Sequence, residues 1–402
     1  MNQTEKQPIW TKGFISIFLS NFFIFLAFYG LLTSLPIYVV NDLGRSSVDG
    51  GLIVTIFLLS AIFVRPFSGK LLQDFGKKRM LMISMILFTV CSFMYLWIDN
   101  YALLLILRFV HGIWFSIATT ATGAIAADMV PVKRRGEGLG YFVMSTNFAV
   151  VCGPFLALTL LQFTSFTTLF FILAFLITVG VLFTAFSKVN EVTRTVPVEK
   201  KRLQVQDLLD GKALPIALVG SLVAFAYSSV LSFISMYANE LELLDAASYF
   251  FVVFAVVMIA SRPFSGRLFD TKGPNIVIYP AIAFFIVGLL LLSISHNTFM
   301  FLLAGAFIGL GYGTIVPCFQ TLAVQSTEHH RSAHATATFF TLFDSGIAAG
   351  SFVLGIVAAQ LGYQTLYLLA GLFLISVVFM YKYVQNRKKI STSAMELKES
   401  SL

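Results

Sequence analysis

The sequence predicts an all-α integral membrane protein with twelve transmembrane helices in two pseudo-symmetric six-helix bundles. Of its 402 residues, 58% are hydrophobic and 11% are charged, whereas a soluble domain carries about 25% charged residues. Only helices and closed barrels satisfy their backbone hydrogen bonds inside a bilayer. The apolar runs last about 20 residues or more, which is the length of a membrane helix and not the roughly 10 residues of a barrel strand.

An internal repeat indicates that the chain is built twice from one plan. The five residues RPFSG occupy positions 65–69 and recur 197 positions later at 262–266. Each copy ends an apolar run and precedes a turn that contains glycine. Self-similarity at a fixed spacing is a signature of repeated architecture. In a membrane protein it favours a transporter whose binding site lies between the repeats.

The apolar runs define the predicted domains in chain order. The first six spans are predicted at 14–40, 50–71, 79–98, 101–127, 137–162 and 166–187. The second six are predicted at 213–238, 247–269, 276–295, 298–325, 333–360 and 363–384. The resulting organisation is a cytoplasmic N-terminus (1–13), a first bundle (14–187), a cytoplasmic linker (188–212), a second bundle (213–384) and a cytoplasmic tail (385–402).

The basic residues follow a topological pattern. The net charge is +8, and nearly all Lys and Arg fall in alternate loops, such as 77–79 and 133–135. The intervening loops are short and almost free of them. Because cytoplasmic loops carry the excess of Lys and Arg, we expect a multi-pass protein of the cell membrane with both termini cytoplasmic. The positive charge therefore predicts topology and not nucleic-acid binding.

Several classes of function lack their sequence signatures. No P-loop, nucleophile elbow or metal-ligand spacing is present, and all three cysteines lie in apolar runs. We therefore expect no enzymatic activity, no cofactor and no metal site. The expected partners are a small-molecule substrate, protons and membrane lipids, and the expected state is a monomer. The energy to move a substrate against its concentration gradient would then come from an ion gradient, unless the protein only equilibrates a solute.

The loop after the second span resembles the G-x-L-x-D-x-x-G-R/K-R/K motif of the major facilitator superfamily. Gly69, Gly76, Lys77 and Lys78 match it, while Gln73 occupies the aspartate slot and Asp74 follows it. The second copy retains Gly266 and Asp270 without the basic pair. The resemblance covers the whole chain and implies that family's twelve-helix fold. It also implies that this loop latches the cytoplasmic ends of the two halves together.

The fourth span carries a second motif, Arg108-x-x-His111-Gly112, which is similar to the family's R-x-x-Q-G. The resemblance implies a role for Arg108 in proton coupling. Histidine titrates near pH 6.5, so His111 is a further coupling candidate. A neutral His111 that is hydrogen-bonded inside the bundle is an equally valid interpretation. Asp128, at the end of this span, is the expected ion-pair partner of Lys77 or Lys78.

The fifth and eleventh spans supply the remaining motif and an acidic candidate. Gly153-Pro154 resembles part of the family's antiport motif, although Ala149, Ala157 and Leu158 depart from it. Asp344 is the carboxylate that lies deepest inside a predicted span. Because a carboxylate inside the membrane is a functional candidate by default, we hypothesise that it binds the coupling proton or a cationic substrate. A structural hydrogen bond is the alternative.

The predicted substrate cavity draws on polar and aromatic residues of the central spans. The candidates are Asn21, Tyr29, Phe115, Asn147, Tyr227, Tyr312 and Gln320. Arg65 and Arg262, beside the repeated prolines, are expected to reach the lipid headgroups. The chain resembles twelve-helix drug:proton antiporters and staphylopine-type metallophore exporters. We therefore predict proton-coupled export by alternating access, with nutrient uptake (a sugar or organic anion), metallophore export and lipid flipping as alternatives.

Overall fold

A computed structural model describes residues 8–45, 47–187, 208–328 and 331–399, and these ranges are helical apart from turns and short connections. The first six helices are α1 (Lys12–Asn41), α2 (Ser47–Phe75), α3 (Lys77–Met94), α4 (Tyr101–Met129), α5 (Arg135–Leu161) and α6 (Phe166–Phe186). The next four are α7 (Leu214–Glu240), α8 (Leu244–Lys272), α9 (Asn275–Ser293) and α10 (Thr298–Gln325). A 3₁₀ turn, Val132–Arg134, precedes α5.

The last helical segment, Ser332–Glu399, is two helices joined at a glycine. Gly362 has φ 79° and ψ 167°, which is not helical. Glycine adopts positive φ without the steric penalty of a side chain, so the chain can turn there within one residue. We name the two parts α11 (332–361) and α12 (363–399). The described ranges therefore contain twelve long helices, and the predicted all-α fold class is confirmed.

The helices have the length and composition of membrane spans. Among the described residues, ten helical segments are long and apolar enough to cross a bilayer. Two features reconcile this number with the twelve helices. Ser332–Asn386 counts as one segment although it contains both α11 and α12. The 18-residue α3 is absent from the ten, and it begins with Lys77, Lys78 and Arg79.

Side chains that cap helices mark several boundaries. Asn100 Oδ1 accepts hydrogen bonds from the backbone N–H groups of Ala102 (2.9 Å) and Leu103 (3.2 Å) at the start of α4. Ser165 Oγ accepts one from Thr168 at the start of α6. Such caps satisfy donors that have no partner within the helix. These caps explain why α4 and α6 start after very short connections.

The chain divides into two compact units. The first unit comprises Met1–Asp210 and Val324–Thr341, and the second comprises Gly211–Ala323 and Leu342–Leu402. The first thus contains α1–α6 together with the beginning of α11. Most of the predicted linker (residues 188–207), residues 1–7 of the N-terminus and residues 400–402 of the tail lie outside the described residues. The predicted bundle boundaries stay a prediction.

Repeat positions make equivalent contacts inside each unit. A Cβ atom added to Gly112 on α4 would lie 2.4 Å from the carbonyl oxygen of Phe57 on α2. A Cβ atom added to Gly309 on α10 would lie 2.4 Å from the carbonyl oxygen of Phe254 on α8. Both pairs are related by the spacing of 197 residues. The repeat seen in five residues of sequence therefore extends to the close packing of helices.

Candidate functional site

Arg108 lies in the interior of the first unit and is fully buried. Its Nε donates a hydrogen bond to the carbonyl oxygen of Ile53 on α2 (3.2 Å), and its Nη1 donates to Tyr95 Oη on α3 (3.5 Å). Its Cζ lies 4.1 Å from the centroid of the Phe57 ring. Nη2 has no hydrogen-bond partner among the described residues. Arg108 is thus held by neutral groups and keeps one donor for a further acceptor.

His111 is also fully buried and joins the same group of side chains. Its Nδ1 lies 3.0 Å from Tyr95 Oη, and its Nε2 lies 3.3 Å from Ser92 Oγ. Its ring centroid is 4.1 Å from that of Phe88. The two residues predicted from one motif therefore meet through Tyr95, which the sequence did not single out.

Aromatic rings surround this polar group. Phe115 on α4 is 4% exposed, and its ring centroid lies 4.7 Å from Phe28, 5.2 Å from Phe57 and 6.2 Å from Phe88. These four rings are the aromatic cluster of the first unit. Phe115, predicted as a cavity residue, is therefore packed among other rings in this structure.

The second unit has an aromatic cluster of Tyr227, Phe254, Phe285 and Tyr312, of which the last three occupy positions that correspond to Phe57, Phe88 and Phe115. Tyr227 and Tyr312 stack with centroids 3.6 Å apart and planes 9° apart. Phe254 lies 6.1 Å from Tyr227, and Phe285 lies 5.9 Å from Tyr312. The two stacked tyrosines are half-buried, unlike Phe28 and Phe115. The second cluster therefore presents partly accessible phenol rings.

Besides Phe115, three cavity candidates belong to the first unit. Asn21 is buried and holds three helices together: its Nδ2 donates to Ser145 Oγ (2.8 Å) and Thr146 Oγ1 (3.0 Å), and its Oδ1 accepts from Thr122 (2.8 Å). Tyr29 is half-buried, and its ring stacks 6.1 Å from that of Phe25. Asn147 is 7% exposed, and its Nδ2 has no hydrogen-bond partner in the described chain.

Asp344 in α11 is the repeat counterpart of Asn147 in α5, at the spacing of 197. It is half-buried. Among the described residues, it is the only carboxylate more than four positions from an end of its helix. Twelve residues from Ser332 amount to roughly 18 Å along the helix, which is more than half of the ~30 Å hydrocarbon thickness. Asp344 is therefore a deep carboxylate of the second unit.

Gln320 on α10 is fully buried, and neither atom of its carboxamide has a hydrogen-bond partner in the described part of the chain. Leaving buried polar atoms unsatisfied costs free energy. These atoms are consequently available to a water or a ligand. Gln320 remains a candidate for the cavity on this ground.

Close helix packing surrounds the antiport-like motif and Asp344. A Cβ atom on Gly153 would lie 2.8 Å from Tyr29 Cβ and 3.0 Å from the carbonyl oxygen of Leu26 on α1. The adjacent Pro154 lies inside α5. A Cβ atom on Gly346, two residues after Asp344, would lie 2.2 Å from the carbonyl oxygen of Ser221 on α7. Glycine is therefore required where α5 meets α1 and where α11 meets α7.

The cytoplasmic motif forms a three-residue network in the first unit. Lys77 Nζ lies 2.5 Å from Asp128 Oδ2 and donates to Ser332 Oγ at 2.7 Å. Ser332 Oγ donates in turn to Asp128 Oδ1 (2.8 Å). The network joins the starts of α3 and α11 to the end of α4. Ser332 belongs to the segment 324–341, which lies in the first unit although it comes late in the sequence.

The other residues of the motif occupy different positions. Lys78 Nζ donates to the carbonyl oxygen of Ser187 (2.6 Å), and Gly69 lies against α11, where an added Cβ atom would be 3.0 Å from His334 Cα. The bends of both copies use positive φ, 90° at Gly76 and 91° at Gly273. The remaining predicted residues differ in exposure: Gln73 is half-buried, Asp74 exposed, Gly266 buried and Asp270 half-buried.

The two repeated arginines do not reach the surface, so that prediction was wrong. Arg65 and Arg262 are 5% and 1% exposed. Arg65 Nη1 donates to Thr119 Oγ1 (3.4 Å), and its Cζ lies 5.3 Å from the Phe340 ring. Each arginine lies ten residues before the end of its helix, at Phe75 in α2 and at Lys272 in α8, and its side chain is buried within its unit.

Some site residues were absent from the sequence-based prediction: Ser92, Tyr95, Phe28, Phe57, Phe88, Phe254 and Phe285. Two signals would have found them. Ser92 and Tyr95 are three residues apart on α3, so they share a face. Three of the four aromatic pairs (57 and 254, 88 and 285, 115 and 312) differ by 197. Among the described residues, no three His, Cys, Asp or Glu side chains are grouped to hold a metal.

Comparison with known proteins gives a consistent result. A family model described as Major Facilitator Superfamily matches residues 17–351 and 282–401. The quinolone resistance protein NorA of Staphylococcus aureus is 33% identical over 141 residues, which cover 34% of this chain and 36% of NorA. The match thus spans about a third of that relative's length. An uncharacterised MFS-type transporter of Methanocaldococcus jannaschii is 25% identical over 360 residues, or 87% of this chain and 92% of that protein.

Solved structures share the fold at low sequence identity. The human organic anion transporter TETRAN has a TM-score of 0.78 at 17% identity, covering 93% of this chain and 100% of that one. The fucose:proton symporter FucP of Escherichia coli has a TM-score of 0.71 at 14% identity, covering 92% and 99%. With the family model matching most of the sequence and ten described helical segments able to cross a bilayer, the chain belongs to the major facilitator superfamily and is a multi-pass membrane protein.

Proposed function

We propose that this protein exports small hydrophobic or cationic molecules in exchange for protons, by alternating access. The observation that carries the proposal is the position of Asp344, the one described carboxylate deep in a helix. A carboxylate there binds either a proton or a cation, since holding both removes its charge advantage. Competition between the two for one group is sufficient to couple their opposite movements.

The stacked tyrosines supply the hydrophobic part of the proposed site. Tyr227 and Tyr312 lie in the same unit as Asp344, and both rings are half-buried. Aromatic faces attract cations, with about 0.5–2 kcal/mol per contact depending on desolvation. A carboxylate together with phenol rings suits an organic cation better than a sugar, which would need many hydrogen-bonding groups.

The outward direction of transport rests on two supports. The first is the partial antiport-like motif at Gly153-Pro154. The second is the relative NorA, whose name describes quinolone resistance. We propose accordingly that the protein resides in the plasma membrane as a monomer with cytoplasmic termini. The network of Lys77, Asp128 and Ser332 would stabilise one state of the transport cycle at the cytoplasmic face.

Transport of an organic anion is the second candidate, and one observation favours it. Arg108 is buried, its hydrogen bonds go to neutral groups of Ile53 and Tyr95, and its Nη2 has no hydrogen-bond partner in the described part of the chain. A guanidinium binds carboxylate or phosphate groups well. The fold is also that of an organic anion transporter, TETRAN. In this reading Arg108 and not Asp344 would face the substrate.

Flux in proteoliposomes tests the proposal. The panel contains cationic dyes, quinolones, organic anions, a sugar and metal chelators, each measured with and without a pH gradient. We expect the gradient to drive cations, and Asp344→Asn to abolish that driven flux while retaining exchange down the substrate's own gradient. Gradient-driven transport of cations at the wild-type rate by Asp344→Asn would refute the role of Asp344. Flux of anions alone would favour the second candidate.

A further inference from the structure

Arg108, Tyr95, His111 and Ser92 form a hydrogen-bonded chain whose direction is determined at both ends. Arginine has only donors, so Arg108 Nη1 donates to Tyr95 Oη. The hydroxyl hydrogen of Tyr95 is then directed to its other neighbour, His111 Nδ1. At the far end, Ser92 Oγ donates to the carbonyl oxygen of Phe88 (2.9 Å). Ser92 must therefore accept from His111 Nε2.

Both ends of the chain give His111 the same form. Nδ1 accepts from Tyr95 and carries no hydrogen, and Nε2 carries the hydrogen that is donated to Ser92. This is a neutral imidazole with a defined tautomer. A proton added at Nδ1 would oppose the Tyr95 hydroxyl hydrogen, which has no other acceptor among the described residues. The hydrogens of Tyr95, His111 Nε2 and Ser92 are thus each directed to an acceptor.

The second unit shows that helix packing does not require this chain of hydrogen bonds. The repeat counterparts of its four members, 197 positions later, are all apolar or glycine: Leu289, Leu292, Gly305 and Ile308. The surrounding aromatic cluster is present in both units. A Cβ atom on Gly305 would lie 2.9 Å from the ring of Phe250, so an aromatic ring lies against the helix position where the first unit has Arg108. An apolar interior therefore fills the same scaffold.

We propose that Tyr95, His111 and Ser92 are positioning residues for Arg108. This hydrogen-bonded chain holds the guanidinium in one orientation and leaves Nη2 as the one nitrogen of Arg108 without a partner among the described residues, ready for an acceptor during transport. His111 then fixes the orientation of the Tyr95 hydroxyl, which in turn fixes Arg108, and His111 does not carry the coupling proton. The inference rests on the proposed function only in that Arg108 takes part in transport.

Two substitutions at His111 separate the hydrogen bonds of this residue from its packing. In His111→Gln the carboxamide oxygen can accept from Tyr95 and the amide can donate to Ser92, which preserves both directions. In His111→Leu the volume is largely filled and both hydrogen bonds are lost. Ile308→Leu, at the counterpart position in the second unit, is the matched control for a change of apolar shape.

A spectroscopic measurement tests the geometry without requiring transport. In protein labelled with ¹⁵N-histidine, the His111 signals are assigned by their loss in His111→Gln. We expect a neutral imidazole protonated at Nε2 at pH 7, and a changed Nδ1 shift in Tyr95→Phe. An imidazolium, or a hydrogen on Nδ1, would overturn the proposal.

Transport assays test the positioning role itself. We expect His111→Leu and Tyr95→Phe each to lower kcat for flux about tenfold, equivalent to about 1.4 kcal/mol, and the double variant to be no slower than either single one. His111→Gln should retain most of the flux and the wild-type pH profile. Loss in His111→Gln equal to that in His111→Leu, or a shifted pH profile, would instead identify a proton carrier. No flux in any variant, wild type included, would contradict the proposed function and leave the ¹⁵N result standing.

Discussion

The interiors of α2–α3–α4 in the first unit and α8–α9–α10 in the second have the same scaffold and opposite chemistry. Gly112 and Gly309 approach their neighbouring helices equally closely, and three of the four aromatic rings in each cluster occupy corresponding positions. Inside this frame the first unit has Arg108 and its hydrogen-bonded partners, where the second has only apolar residues and glycine. The two copies of the repeat therefore share their helix packing, but only the first copy has the buried arginine and its polar partners.

A second contrast runs the other way. At the counterpart positions of α5 and α11, the first unit has the amide of Asn147 and the second has the carboxylate of Asp344. Both units also bury an arginine of the repeat, Arg65 and Arg262, but Arg108 in the first unit and Asp344 in the second have no charged counterpart in the other. Because a charge inside the membrane is costly unless it is used or compensated, we expect Arg108 and Asp344 to account for the functional difference between the units.

The largest effect is expected from removing the charge that distinguishes the first unit. Arg108→Leu should lower flux about 100-fold, equivalent to about 2.7 kcal/mol. Arg108→Lys should restore little of it, because an ammonium cannot reproduce the fork that contacts both Ile53 and Tyr95. Initial rates in proteoliposomes measure this. Wild-type flux in Arg108→Lys would mean that charge alone matters and orientation does not.

The shared scaffold is tested by adding one methyl group to each unit. Gly112→Ala and Gly309→Ala both place a Cβ atom 2.4 Å from a carbonyl oxygen, and overpacking of this kind costs about 1–3 kcal/mol. We expect similar losses of thermal stability in the two variants, measured by unfolding in detergent. Gly140→Ala is the control, since nothing lies within 4 Å of an added Cβ atom there. A loss in only one of the two would show that the packing is not equivalent.

The half-buried tyrosines of the second unit sharpen the contrast between the aromatic clusters. Tyr312→Ala should weaken the apparent affinity for an aromatic cation several-fold to about tenfold, within the range of one cation–π contact. Tyr312→Phe keeps the stacked ring and should change it less than about twofold. The KM of dye transport measures both. Equal weakening by the two substitutions would indicate that the hydroxyl and not the ring binds the substrate.

The smallest effect is expected at the cytoplasmic network, which exists in one copy because Pro274 and Gln325 replace Lys77 and Asp128 in the repeat. The side chains of Lys77 and Asp128 are 16% and 19% exposed, so their pair contributes about 1 kcal/mol at most. Asp128→Asn should alter the flux a few-fold, through the populations of the conformational states. Asp74→Asn, at an exposed position, should leave the flux unchanged. A larger change in flux for Asp74→Asn than for Asp128→Asn would indicate that Asp74, and not Asp128, stabilises the cytoplasmic contact.

Much of the fold could be predicted from the sequence, because span length, hydropathy and loop charge are local properties. Twelve helices, the repeat and the motif residues Arg108, His111 and Asp128 were all accessible in this way. The burial of Arg65 and Arg262 was not, since it depends on how far each helix continues beyond the arginine and on which side chains pack against it.

By itself, the sequence determined that this chain crosses a membrane many times, that it repeats, and which residues carry charge within its helices. Only the tertiary structure decided that Tyr95 and Ser92 on α3 meet Arg108 and His111 on α4, and that residues 324–341 belong to the first unit. Periodicity assigns a residue to a face of its helix. The partner of that face is chosen by packing between helices distant in sequence, and the chemistry of the site follows from that choice.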